Sequence, residues 1–310
     1  MTVCIAGLFK WNYALIGQPV DLGWAVLTAS DRMITASGIE YEPQQLKVCF
    51  LNPRVVLLIA GDYALHSQAI KSTVEQLRAR PAAKPYEIAR LYGVAIQTLQ
   101  RQAAEDKILA PLGLNTDTFL AQQRDMSDTF VATLTAQLQD FVGAEVETLV
   151  VGMESEFSNI YTVDSHGTVR CFNDVGFAAI GIGAWHAQSS LMQSGYVSNW
   201  SLVPALAAIY ASKKAAEVAP GVGKSTDLHV IVKDQTFSLE SRWPGMDAKL
   251  EELYTAFQQE RAALSLKAMG QLNEFIDGKN APPQPKESAE KQGEGSEPAG
   301  TEPSGSSAVT

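Results

Sequence analysis

The sequence predicts an α+β protein in which β-sheets pack together and helices layer outside them. Three observations carry that expectation. Strand-like runs crowd the first sixty residues, a helical block fills residues 62 to 142, and strands return from Glu147. In the first block Thr2–Phe9, Gly23–Ala29, Leu46–Leu51 and Val55–Ala60 are apolar or alternating, with turn residues between them. In the second, Phe119, Met126, Phe130, Leu134 and Leu138 trace one apolar helical face, and Pro81 and Pro85 mark a break. The third block holds strands at Thr148–Val151, Asn159–Val163, Val169–Phe172 and Phe177–Ile180, with a turn at Asp164-Ser165-His166-Gly167. Helices at about 184–193 and 203–217 and a strand at Asp227–Val232 follow.

Trp243-Pro244-Gly245 then punctuates the chain. Leu250, Leu253, Phe257, Leu264, Leu272 and Phe275 recur at roughly helical spacing and predict a last amphipathic helix. From about Lys279 the composition turns to Pro, Glu, Ser, Gly and Lys, which buries too little surface to offset its ordering entropy. The expected organisation is therefore a domain over 1–245, a helix over 246–278 packed on it, and a disordered acidic tail over 279–310.

Composition excludes several functions. A net charge of -10 over 310 residues lacks the basic surface that nucleic acid requires. Three scattered cysteines, Cys4, Cys49 and Cys171, form neither a disulfide framework nor a zinc site. The start has no basic leader followed by a long apolar run, and nothing approaches the roughly 20 apolar residues that span a bilayer. We therefore expect a cytoplasmic protein with no metal, no cofactor, no nucleic-acid partner and no membrane partner.

The candidate chemistry begins at Thr2. Removal of Met1 would leave a threonine carrying its own α-amine, a nucleophile and base in one residue. Asp31 follows an apolar strand, where an ordinary turn or cap residue also fits. Lys47 lies in Leu46-Lys47-Val48-Cys49-Phe50, whose period of two puts Lys47 and Cys49 on one face. Such a lysine is either at an exposed edge or buried with a partner, and Asp31 is the natural carboxylate. A cation beside the Thr2 amine would lower its pKa from about 7.7–8.0 and free it to accept a proton. Gly61 offers a backbone N–H, or is simply a turn glycine after Val55–Ala60. Gly221-Val222-Gly223-Lys224-Ser225-Thr226 imitates the end of a phosphate-binding loop, but a helix enters it and a strand leaves, the reverse of what phosphate binding needs. His66, His166, His186 and His229 accompany no hydrolase or metalloprotease motif, and Cys4 reads as a small core residue.

Taken together these residues resemble the β-type subunits of the proteasome and their bacterial relatives, the HslV-like and Anbu-like N-terminal-nucleophile hydrolases. The match is one of order and spacing. Ala29-Ser30-Asp31-Arg32 is followed by Lys47 sixteen residues after Asp31, and by Ala60-Gly61-Asp62, with Gly61 fourteen residues later again. Val150-Val151-Gly152-Met153, Ile160-Tyr161-Thr162-Val163-Asp164, Gly167 and Ile180-Gly181-Ile182-Gly183 continue the family's order. The resemblance implies a four-layer αββα sandwich of two antiparallel sheets. It implies threonine-type peptide-bond hydrolysis, with Thr2 as nucleophile and base, Lys47 as electrostatic activator, Asp31 as its counter-ion and Gly61 as oxyanion donor. It places Thr35 where substrate is held as an added strand, and Ile34, Gln45, Cys49, Ile59 and Tyr63 around the side chain preceding the cut. Peptides or unfolded polypeptides are the implied substrates. A homo-oligomeric ring or helical assembly is the implied quaternary form, and an ATPase partner stays open.

Three positions depart from the family. Thr2 to Asp31 is about a dozen residues longer than usual, an excess that an elongated hairpin over Phe9–Trp24 would absorb. Ile182 stands where many members carry a serine. Glu217 and Pro220 fall where an acid and a hydroxyl support the site, and proline supplies no hydroxyl. An inactive scaffold of the same fold and a small-molecule amidase of the same superfamily are the alternative readings.

Overall fold

A computed structural model describes residues 2–15, 18–36, 39–41, 47–233 and 235–280. It is an α+β structure in which, among the described residues, two antiparallel five-stranded sheets dominate. The chain opens with a long hairpin of β1 (Cys4–Leu15) and β2 (Gln18–Ser30). The two pair from Cys4↔Ser30 out to Leu15↔Gln18, with an irregularity between Lys10 and Asn12. The extended hairpin expected from the Thr2–Asp31 interval is therefore present, and it leaves both ends of that interval side by side. A short ribbon of β3 (Ile34–Ala36) and β4 (Ile39–Tyr41) follows, then β5 (Val48–Asn52) and β6 (Val55–Gly61).

The helical block comprises α1 (Tyr63–Leu77), α2 (Pro85–Ile108), α3 (Thr116–Gln122) and α4 (Asp128–Gln139). The first two starts have a local cause. The Asp62 carboxylate accepts the Leu65 N–H, and α2 opens with Pro85 in its first turn while Glu87 reaches back to the Lys84 N–H. The apolar face expected over 119–138 belongs to two helices. The chain is extended at Met126 and Ser127, yet Phe119 and Leu134 still bury together.

Strands β7 (Val146–Glu154), β8 (Phe157–Val163), β9 (Val169–Cys171) and β10 (Phe177–Ile180) come next, then α5 (Ala184–Gln193) and α6 (Leu202–Ala216). The domain closes with β11 (Asp227–Val232), β12 (Gln235–Ser238), the single turn α7 (Leu239–Arg242) and α8 (Met246–Asn280). One sheet runs β10-β1-β2-β11-β12, the other β5-β6-β7-β8-β9.

The start of β1 and nearly all of β6 are buried on both faces, which explains the near-continuous apolar runs there. Val3, just before β1, and Ile5 and Phe9 within it pack with Leu191, Leu206 and Ile209 of α5 and α6. Cys4, Ala6 and Leu8, on the opposite face, pack with Val56, Leu58, Leu149 and Val151 of the second sheet. The far face of that sheet buries Leu57 and Val150 against Ile88, Tyr92 and Ile96 of α2. Alternation at period two thus assigns Ile5 and Phe9 to one core and Cys4, Ala6 and Leu8 to the other.

Two compact units divide the chain, residues 1–256 and 257–310. Within the first, α8 packs Met246, Leu250 and Tyr254 against the core. Within the second, the helix exposes Phe257, Leu264, Leu272 and Phe275. The expected tail beyond Asn280 lies outside the described residues. Among the described residues no helix is long and apolar enough to cross a membrane.

Gly93 of α2 touches the β8–β9 turn so closely that an added Cβ would meet the Gly167 carbonyl oxygen at 2.4 Å. Backbone cannot yield as a flexible side-chain tip can. Gly93→Ala is expected to destabilise the protein by about 1–3 kcal/mol through overpacking. A denaturant midpoint equal to wild type would show that α2 can move off the turn.

Candidate functional site

The end of β1 and the end of β2 meet because the hairpin pairs Cys4 with Ser30. The residues just outside that pairing, Thr2 and Asp31, are therefore neighbours although 29 residues apart. The Asp31 N–H also donates to the Val3 carbonyl at 3.2 Å. Lys47 arrives from the other sheet, at the entrance to β5, and its carbonyl is tied to β6 by the Ile59 N–H at 3.1 Å.

These three side chains form one buried cluster. Thr2, Asp31 and Lys47 are 2%, 0% and 7% exposed. The Lys47 ammonium donates to Asp31 Oδ1 at 2.9 Å and also to Thr2 Oγ1. The Thr2 hydroxyl in turn donates to Asp31 Oδ1. Asp31 collects backbone donors as well, from Val3 to Oδ1 at 2.9 Å, and to Oδ2 from Met33 at 3.1 Å and Gly223 at 2.9 Å. A buried carboxylate needs such donors and a counter-charge to stay ionised. Chemically, Thr2 Oγ1 sits between an ammonium that would stabilise negative charge on it and a carboxylate that accepts its hydrogen bond.

Thr2 is fixed through its backbone too. Its carbonyl accepts the Gly183 N–H at 3.2 Å. Gly181 adopts φ +85°, and a Cβ there would lie 2.4 Å from the Thr2 carbonyl oxygen. The Gly181 N–H donates to Glu147 Oε2 at 2.7 Å, so a carboxylate that the sequence reading did not single out stands beside the cradle. Ile182, between the two glycines, is 48% exposed. Glu217 is engaged by two lysines of α6. Its Oε1 pairs with Lys213 at 2.6 Å and Lys214 at 3.0 Å, and Pro220 is exposed.

Gly61 ends β6 in a conformation that only glycine adopts freely, φ +103°, and a Cβ would fall 2.1 Å from the Glu145 carbonyl oxygen. The preceding carbonyl is held by His66. Its Nε2 lies 2.8 Å from the Ala60 oxygen and its Nδ1 2.6 Å from the Tyr92 hydroxyl. A carbonyl only accepts, so the ring proton is on Nε2 and Nδ1 accepts from Tyr92. Because a trans peptide points C=O and N–H in opposite directions, anchoring the Ala60 carbonyl aims the Gly61 N–H the other way. No catalytic motif marks His66 in the sequence, and its contribution becomes visible only when α1 and α2 are packed on β6.

Of the expected pocket residues, Ile59 is buried, Cys49 half-buried and Tyr63 exposed at the start of α1. Ile34 and Thr35 lie in β3, with Thr35 opposite Glu40, their side chains being outside the described residues. Gln45 lies outside them altogether. Cys4 is buried, its thiol donates weakly to the Ile59 carbonyl at 3.6 Å, and burial pushes its pKa up, so it is a neutral core group. Among the described residues no group of three or more His, Cys, Asp or Glu side chains is placed to hold a metal ion. No protein-family model matches the chain, and no curated protein matches it in sequence.

Burial lowers the pKa of both His66 and His229. Above about 6.5, the unfolded value, folded and unfolded chains both hold these rings neutral. Below it the unfolded chain binds protons first, so their contribution to stability is lost as pH falls toward the folded-state values. The urea midpoint should therefore drop between pH 7.5 and pH 5.5. His66→Gln keeps a donor for Ala60 and an acceptor for Tyr92 without a titrating ring, and should flatten the dependence. An unchanged slope in that variant would show that His66 does not contribute to it.

Proposed function

We propose that this protein is a threonine-type peptidase of the proteasome-like N-terminal-nucleophile hydrolase class. The observation that carries the reading is the position of Thr2 Oγ1, buried between the Lys47 ammonium and the Asp31 carboxylate. Removal of Met1 frees the α-amine of Thr2, whose pKa the neighbouring Lys47 charge lowers. The amine takes the proton from Oγ1 as that oxygen attacks the scissile carbonyl. The tetrahedral oxyanion is met by the Gly61 N–H, a kind of donor whose loss costs about 2.7–4 kcal/mol elsewhere. The amine then protonates the leaving nitrogen as the C–N bond breaks. Water, deprotonated by the same amine, hydrolyses the ester on Thr2.

The sandwich order helix–sheet–sheet–helix belongs to the same reading and is supported by the three apolar clusters on the faces of the sheets. Assembly into a ring or helical homo-oligomer in the cytoplasm is likewise proposed. Trp185 and Met192 on α5, 84% and 64% exposed, are large apolar groups suited to a subunit contact. Two observations favour an inactive scaffold instead. Ile182 brings no hydroxyl to the cradle, and Glu217 is committed to two lysines.

An epoxyketone requires a free amine and a hydroxyl on one residue, so intact-mass measurement separates these readings. Protein from its native host should lack Met1 and gain one reagent mass, and Lys47→Ala should gain none while keeping its oligomeric state. A retained Met1 and no adduct would sink the peptidase reading in favour of the scaffold. The pocket residues carry no fixed charge, and Cys49 is held neutral by burial. A charged side chain entering would lose hydration without a partner, at a cost of several kcal/mol. Peptide-library profiling should therefore show cleavage after leucine-, methionine- or tyrosine-like residues. Dominant cleavage after Arg, Lys, Asp or Glu would refute this assignment of the pocket.

A further inference from the structure

We propose that Lys213 is a positioning residue for Asp31, acting through the loop that resembles a phosphate-binding motif. The catalytic part of this assignment rests on the peptidase reading, and the structural part stands without it.

Lys213 lies in α6 and is fully buried, 0% exposed. An ammonium has three N–H donors, and here each has an acceptor. They are Glu217 Oε1 at 2.6 Å, the Gly223 carbonyl at 2.9 Å and the Lys224 carbonyl at 2.7 Å. Glu217 balances the charge from one turn further along the chain, and burial lowers the Lys213 pKa against that pairing. Neighbouring Lys214 shares Glu217 and reaches Glu251 of α8 at 3.1 Å without bonding the loop.

Gly223 is held on both sides. Its carbonyl accepts from Lys213, while its N–H donates to Asp31 Oδ2 at 2.9 Å. That N–H is one of two backbone donors on Oδ2, the other being Met33. Oδ1 carries Lys47, Thr2 and the Val3 N–H. Two groups on Oδ2 fix the rotation of the carboxylate, and so fix where Oδ1 stands relative to the Thr2 hydroxyl. Releasing Gly223 removes one of them. The loop's carbonyls converge on a cation inside the protein, and its amide points at a carboxylate. Glycine-rich sequence here serves an internal ion-pair network in place of a bound phosphate.

The test compares wild type, Lys213→Met and Lys214→Met as full chains, by hydrogen exchange resolved at Gly223 and by steady-state peptide hydrolysis. In wild type the Gly223 amide should exchange as slowly as the amides of β2, and exchange at the rate of an open loop would overturn the clamp without any variant. In Lys213→Met the amide should exchange at least about tenfold faster. There kcat should fall at least about tenfold with KM unchanged, the pattern of a displaced reacting group rather than lost substrate binding. Lys214→Met, which removes a charge from the same glutamate, should leave both within about twofold. Wild-type Gly223 protection in Lys213→Met overturns the clamp, and a loosened Gly223 with unchanged kcat overturns its link to Asp31. A wild-type protein with no hydrolysis fails the peptidase reading alone, and the exchange data then decide the clamp.

Discussion

The Asp31 carboxylate is the charge around which this structure is arranged. It is fully buried and accepts from Thr2, Val3, Met33, Lys47 and Gly223, five residues at four places in the chain. A carboxylate in an apolar interior is tolerated only when its lone pairs are occupied and a counter-charge is near. Asp31 therefore constrains the hairpin of β1 and β2, the approach to β5 and the loop before β11 at once. Separating the hairpin from the approach to β5 leaves Asp31 and Lys47 without their counter-charges, and moving the loop before β11 takes a hydrogen bond from Asp31.

Around that cluster the two sheets supply a rigid frame. Cys4, Ala6 and Leu8 on β1 interlock with Val56 and Leu58 on β6, so the strand that leads out of Thr2 cannot slide relative to the strand that ends in Gly61. The close approaches are made where Cβ atoms are missing. Gly181 lies against the Thr2 carbonyl, and Gly61 against that of Glu145. Both have positive φ, so the same residues satisfy a conformational and a steric demand. His66 adds a third restraint on the end of β6, and its neutral state follows from its burial between Ala60 and Tyr92.

Polar groups behind the cluster extend the network outward in a definite order. Lys213 connects the 223–224 loop to Glu217, Glu217 connects to Lys214, and Lys214 connects to Glu251, which also accepts the Tyr210 hydroxyl. Buried lysines of this kind do not add stability merely by being paired, since desolvation offsets much of the attraction. What they add is directional. Three donors on one ammonium can be satisfied by only one arrangement of the loop.

Much of the fold was legible in the sequence because it depends on local periodicity. The strands at Val55–Gly61, Phe177–Ile180 and Asp227–Val232 follow from apolar runs bounded by turn residues, and the helical block after residue 62 was expected with a break at Pro81 and Pro85, where α1 has ended and α2 begins. The short strands β3, β4 and β12 were not legible, since none of them holds a continuous apolar run. Thr2, Asp31 and Lys47 could be singled out by residue type and spacing, and a buried lysine's need for a carboxylate already pointed to their pairing. Glu147, His66, Lys213 and Gly223 could not. Their roles come from partners 34, 26, 10 and 192 residues away, brought in by strand pairing and helix packing. Sequence alone thus determined which segments are strands and helices and which few residues have chemistry to offer. Only the tertiary structure decided which charges meet, because a hydrogen bond depends on distances of a few ångströms that no local pattern encodes.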